Sequence, residues 1–170
     1  MDVEVIRSAR RRKTISAEQR GGTIVVRVPA GMSAEEERVW VARMVKRLTS
    51  RERTRRLNAG PALERAADRL NRRHFGGRLA WRSIRYVSNQ RTRYGSCTPE
   101  DGTIRISDRV AELPDWVRDY VVVHELAHLE EPGHGGEFWD LVNRYPLTER
   151  ARGYLTALGL EEAPQSGGVS

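Results

Sequence analysis

The chain of 170 residues has a single cysteine, Cys97, so it can form no internal disulfide. That economy suits a reducing compartment. No run approaches the roughly 18 to 20 apolar residues needed to cross a bilayer. The start, MDVEVIRSARRRK, also lacks the apolar stretch that follows the charges of a secretory signal. A cytoplasmic chain without membrane contact is expected. Lysine is scarce, at two of 30 basic residues, so arginine carries the positive charge, and no methionine follows Met44. Internal repeats and long low-complexity segments are missing too, and nothing in the composition speaks to oligomeric state. What is present is ordinary for a folded chain: 38% apolar residues and 15 glycines. The length fits one core with an appended arm rather than two full cores.

The net charge of +7 is unevenly placed. Up to Arg56 there are 15 Lys+Arg against 7 Asp+Glu, or +8, and from Leu57 onward 15 against 16, or −1. A basic arm on a near-neutral body is the footprint of an anionic partner, nucleic acid above all. Arg10, Arg11, Arg12 and Lys13, with Arg43, Lys46, Arg47, Arg51, Arg55 and Arg56, would then contact phosphates. A solvated arginine-rich surface is the plainer alternative.

Short runs rich in β-branched residues, VEVIR, KTIS and TIVVRV, lie between Val3 and Pro29. They read as strands of a small antiparallel sheet. Ser33 with Glu36 forms a capping box, and Val41, Val45 and Leu48 recur at helical spacing, which gives a helix over residues 34–56. Asn58-Ala59-Gly60-Pro61 breaks it. Leu63, Ala66, Ala67 and Leu70 mark the next helix, which Gly76-Gly77 stops. A strand through Trp81 to Val87 follows, then a loop holding RTRYGSC with a turn at Gly95, then the strand TIRIS from Thr103 to Ser107. Pro114 opens a helix of about 17 residues, roughly 25 Å long, which Pro132-Gly133 closes. Two further helical stretches run near residues 137–145 and 148–158, before a disordered tail. The expected class is α+β: a basic N-terminal sheet and helix over residues 1–57, a core over residues 58–160, and a tail over residues 161–170.

The helix after Pro114 carries the chemistry, VVVHELAHLEE. His124 and His128 stand one turn apart on one face, where two imidazoles can converge on one ion. Glu125, rotated about 100° from His124, is placed to act as a base on water at the metal's open position. His134 follows the Pro-Gly break that lets the chain turn back. It completes the three-protein-ligand set usual for catalytic zinc, with Glu130, Glu131, Glu137 and Glu149 in reserve. Two histidines on an apolar helix are often simply core residues, but three valines ahead of the motif would then bury an uncompensated Glu125 at considerable cost. Other residues have plainer explanations. Cys97 has no base nearby and reads as a small buried residue; His74 reads as packed; Phe138, Trp139, Val142 and Tyr145 have the spacing of a core face.

With RRRKTIS, VRVPAG, RTRYGSC and YVVVHELAHLEEPGHGGEFW in this order, the chain resembles the YgjP-like metallopeptidases, relatives of the SprT-like and WLM zincins. The resemblance implies a zincin-like metallopeptidase core, zinc on His124, His128 and His134, and Glu125 as the catalytic glutamate. The family's RWGSC reads RYGSC here, with Tyr94 for Trp, and its His-Ser before Phe-Trp reads His134-Gly135. Neither change touches an implied ligand. The spacing also matches HExxHxxGxxH, but Glu131 stands at the glycine and the lack of a later methionine rules out a Met-turn, so this is not a metzincin. SprT-like relatives act on proteins attached to DNA, which would suit the basic arm.

The expected activity is hydrolysis of a peptide or protein substrate by water on the zinc, with Glu125 as general base. Tyr145, Tyr154 and Arg93 are candidates for stabilising the oxyanion. An extended substrate should pair with an exposed strand edge, for which Thr103 to Ser107 is the candidate. A zinc hydrolase of a non-peptide amide or an ester would use the same histidines, and turnover of unstructured protein against small amides separates the two. A nucleic-acid module with a structural zinc is the third reading, but such sites are usually closed by four protein ligands and three are visible.

Overall fold

The computed structural model describes residues 2–160. The expected disordered tail, residues 161–170, lies outside the described residues. The chain divides into two compact units between Arg55 and Arg56, inside the last turns of the first helix. No helix among the described residues is long and apolar enough to cross a membrane.

The first unit holds strands β1 (Asp2–Ser8), β2 (Ser16–Arg20) and β3 (Thr23–Pro29), followed by helix α1 (Ala34–Leu57). The sheet order is β1-β3-β2, with β2 antiparallel to β3 and β1 parallel to it. The sheet is therefore mixed, not antiparallel as the sequence suggested. The reason lies in where the apolar residues sit. Ile24, Val26 and Val28 of β3 are at most 1% exposed, so β3 takes the centre. The exposed β1 and the partly buried β2 become its two edges, and residues 9–15 carry the chain from one to the other. Val41, Met44, Val45 and Leu48 of α1 pack on that β3 cluster. The capping box forms as expected: Glu36 N–H donates to Ser33 Oγ at 3.3 Å, and Ser33 N–H returns to the Glu36 carboxylate at 3.1 Å.

The second unit contains α2 (Ala62–Phe75), β4 (Ser83–Val87), β5 (Gly95–Thr98), β6 (Thr103–Ser107), a 3-10 turn over Asp108–Glu112, α3 (Asp115–Ala127), α4 (Gly136–Val142) and α5 (Thr148–Ala157). Its sheet runs β4-β6-β5, with β4 parallel and β5 antiparallel to β6. Two expectations change here. The segment read as a loop with a turn at Gly95 is strand β5, four residues long. TIRIS is then the central strand and not the exposed edge, since β4 occupies one side of it and β5 the other. Ile104 and Ile106 are fully buried, as a central strand requires.

Helix α3 is the axis of this unit. Every residue from Tyr120 to Ala127 is buried, because α2, α4, α5 and the sheet all pack on it. A helix hydrophobic around its whole circumference must be enclosed in this way. It ends at Ala127, short of the expected stop at Pro132-Gly133. Leu129 N–H and Glu130 N–H donate three residues back, to Leu126 and Ala127 at 3.1 Å each, so the last turn tightens. Glu131, which precedes the proline, is disfavoured in the helical region.

Candidate metal centre

Helix α3 places His124 and His128 one turn apart, 1% and 7% exposed, and the turn after it brings back His134. One ligand nitrogen from each histidine lies within 4.8 Å of the other two, and among the described residues no fourth His, Cys, Asp or Glu joins the group. His134 Nε2 is 3.2 Å from His124 Nε2. Tetrahedral zinc with Zn–N bonds of about 2.0 to 2.1 Å separates neighbouring ligand nitrogens by roughly 3.3 Å, so this pair already has ligand spacing.

One hydrogen bond fixes the proton position on His128. His128 Nδ1 lies 3.0 Å from the Glu131 carbonyl oxygen. A carbonyl only accepts, so Nδ1 carries the hydrogen and Nε2 keeps its lone pair. His124 Nδ1 faces the hydroxyls of Tyr94 at 3.3 Å and Tyr120 at 3.4 Å, leaving its Nε2 toward the cluster. Burial is the main cause that holds His124 well below the usual imidazole pKa, helped by His128, His134 and the Arg152 charge. Burial also pushes His128 down to about 4 against the Glu131 carbonyl, which favours the charged form. Both rings are therefore neutral at pH 7, the form that can bind a metal. The donor set fits a borderline-soft divalent ion.

Glu125 is 1% exposed and lies against β5. A Cβ built at Gly95 would stand 2.8 Å from both Cγ and Cδ of Glu125, and still closer to Oε1. Only glycine leaves that volume to the carboxylate. Gly95 does not make a turn and has no positive φ; its role is the missing side chain.

The YgjP-like metallopeptidase domain matches residues 51–157. The chain belongs to the YgjP-like metallopeptidase family. Among solved structures it is similar to the metallopeptidase zymogen of Pyrococcus abyssi abylysin, with a TM-score of 0.51 and 23% identity over 59% of this chain and 99% of that one. At that identity the likeness concerns the fold alone. No protein of curated function matches.

In this YgjP-like chain, side chains that the sequence suggested were only core packing also hold the histidines. The Phe138 ring, 1% exposed, has its centroid 4.4 Å from His128, stacked on it, and 4.8 and 4.9 Å from His134 and His124. It forms a common apolar base for the three imidazoles. Trp139 stacks on His134 at 6.1 Å, and the Arg152 guanidinium stands 4.2 Å over that indole. Arg152 has no signal in the sequence beyond its charge. Tyr94, in the RYGSC run, places its hydroxyl 3.3 Å from His124 Nδ1.

None of the reserve carboxylates joins the cluster. Glu130 pairs with Arg78 at 2.7 Å, Glu149 pairs with Arg152 at 3.1 Å, Glu131 contributes its backbone carbonyl to His128, and Glu137 lies in the first turn of α4. Tyr145 donates its hydroxyl to the Trp116 carbonyl at 2.8 Å, and Tyr154 rests edge-on against Trp116. Arg93 is exposed in the segment before β5. Burial pushes the Cys97 thiol up to about 12, with the Glu125 charge adding to the effect, so it is no thiolate nucleophile. His74 is half-buried, meets Tyr145 edge-to-face at 5.6 Å, and is no part of the cluster.

Proposed function

We propose that the chain hydrolyses peptide bonds with one zinc ion held by His124, His128 and His134 and with Glu125 as general base. The observation that carries the reading is the convergence of three imidazole nitrogens beside a buried glutamate in a metallopeptidase family member. When bound, zinc supplies a Lewis acid that polarises a carbonyl and lowers the pKa of water. Three protein donors leave a coordination position open, as catalysis requires.

The remaining work falls to side chains. Glu125 accepts a proton from the attacking water on its carboxylate and delivers it to the leaving amine. Gly95 lets that carboxylate sit against β5 without rearrangement. Tyr94 and Tyr120 orient His124, and the Glu131 carbonyl orients His128, as outer partners of metal ligands do. For an extended substrate the edge to pair with is β5 in place of β6. It bonds to β6 on one side only, and its first residue touches the base. Main-chain pairing is tolerant of sequence, so selectivity should come from side-chain pockets and be broad.

Glu125→Gln tests the assignment. The variant should keep its metal and lose turnover of an unfolded protein substrate by about 10² to 10⁴, the usual worth of general-base catalysis. Turnover near the wild-type rate would remove Glu125 from the mechanism.

A further inference from the structure

Trp40, on the second turn of α1, is not part of the apolar cluster that joins α1 to β3. It lines a cleft of about 520 Å³ within the first unit, together with Ile15, Pro29, Met32 and the cationic side chains of Arg11, Arg12 and Lys13. That volume is in the range of small-ligand sites, and its lining pairs one flat aromatic surface with a dense local charge. Glu36 also borders the cleft, but its carboxylate is occupied by Ser33, which donates Oγ–H at 2.7 Å and N–H at 3.1 Å. Arg11, Arg12 and Lys13 enter no ion pair with a described residue. Three cations against one capped carboxylate leave the cleft positive.

The charge continues out of the cleft. The Arg43 guanidinium lies 4.7 Å over the Trp40 ring. From it Arg43, Arg47, Arg51 and Arg55 repeat every fourth residue, all exposed, so they share one face of α1 for about 18 Å at 1.5 Å per residue. Arg55 pairs with Glu52 at 2.9 Å. A phosphate backbone is the polyanion whose repeat such a ridge can follow, and an aromatic ring beside it is what an unpaired base stacks on. Bases inside a duplex cannot reach an indole within a cleft. An acidic peptide would use the cations but gain little from the ring.

We propose that this cleft binds a nucleotide unit of single-stranded nucleic acid, its base on Trp40 and its phosphate on Arg11, Arg12 and Lys13, with the strand continuing along the α1 ridge. The site lies in the first unit and does not depend on the proposed peptidase reading. Binding should not select sequence strongly, since every base has a stacking face.

The test is fluorescence anisotropy of a labelled 12-nucleotide single strand with the full chain at several salt concentrations. Trp40→Ala should weaken binding about 5- to 150-fold, the usual worth of one stacked base, while Trp40→Phe keeps most of the affinity. Changing Arg11, Arg12 and Lys13 together to Ala should lower affinity and flatten the salt dependence, the slope falling by about 0.7 for each phosphate no longer neutralised. Because Trp40 is outside the apolar cluster, its variants should keep the wild-type thermal melt, which is recorded alongside. Affinity indifferent to Trp40→Ala would overturn the proposal and leave only charge. Preference for a duplex of equal length, or equal displacement by poly-glutamate, would overturn it as well. Adenosine monophosphate competing as well as the 12-mer would overturn the strand, because the ridge would then contribute nothing.

Discussion

Replacing Gly95 with alanine adds one methyl group at the point where β5 meets Glu125, the proposed base. Its Cβ would lie 2.8 Å from Cγ and Cδ of Glu125, whereas carbon atoms in contact prefer about 3.5 to 4.0 Å. Something must move by about 1 Å. Gly95 is held by its antiparallel pairing with Ile106, and Glu125 is enclosed at 1% exposure, so the flexible carboxylate is what yields. The three atoms nearest the new methyl group all belong to Glu125 and none to a histidine. Overpacking of this kind costs about 1 to 3 kcal/mol, and a catalytic group misplaced by about 1 Å costs on the order of 10² in rate. Gly95→Ala should therefore keep its zinc, lower the urea midpoint modestly, and cut kcat about a hundredfold. Elemental analysis, urea titration and turnover on one preparation measure all three. Wild-type turnover and stability would show that Gly95 does not make room for the base, and loss of metal would place the damage in the histidines instead.

Two more predictions concern the surroundings of the site. Tyr94→Phe with Tyr120→Phe removes both hydroxyls that face His124 Nδ1. Chelator competition should then show zinc affinity about 10- to 100-fold weaker, with a smaller loss for either change alone; unchanged affinity in the double variant would mean the hydroxyls do not orient the ring. Cys97, raised from 9.0 to about 12 chiefly by burial, should label with iodoacetamide at pH 8 about 30- to 60-fold more slowly in the folded chain than in urea, since its thiolate is scarcer but more nucleophilic. The same shift destabilises the fold as pH rises from about 9 toward 12, because the unfolded thiol ionises first. Fast labelling of the folded chain would contradict the assigned burial.

The site is more legible in the sequence than the sheets around it. Helical spacing determines that His124 and His128 share a face, and the Pro132-Gly133 break makes the return of His134 readable. Sheet order has no such local rule. The alternation in TIRIS is the same for a strand at an edge or at the centre, and four residues of GSCT carry too little pattern to announce β5. Without β5, β6 looks like an edge and Gly95 looks like a turn. The parallel pairing of β1 with β3 is hidden for a related reason. Consecutive short strands suggest hairpins, and only the burial of Ile24, Val26 and Val28 makes β3 central. The aromatic base under the histidines is visible only as helical spacing, because the period that places Phe138 in a core does not say what it touches.

We propose that three histidines hold one zinc without which no peptide is cleaved. Zinc per chain, measured by elemental analysis together with turnover of an unfolded protein before chelation, after it, and after zinc is restored, tests this most directly. The wild type should hold about one zinc per chain. Turnover should disappear with the metal and return with it, and zinc should be lost in His124→Ala and His128→Ala and strongly weakened in His134→Ala. Peptide cleavage that survives complete removal of the metal, or stoichiometric zinc retained in His134→Ala, would contradict it.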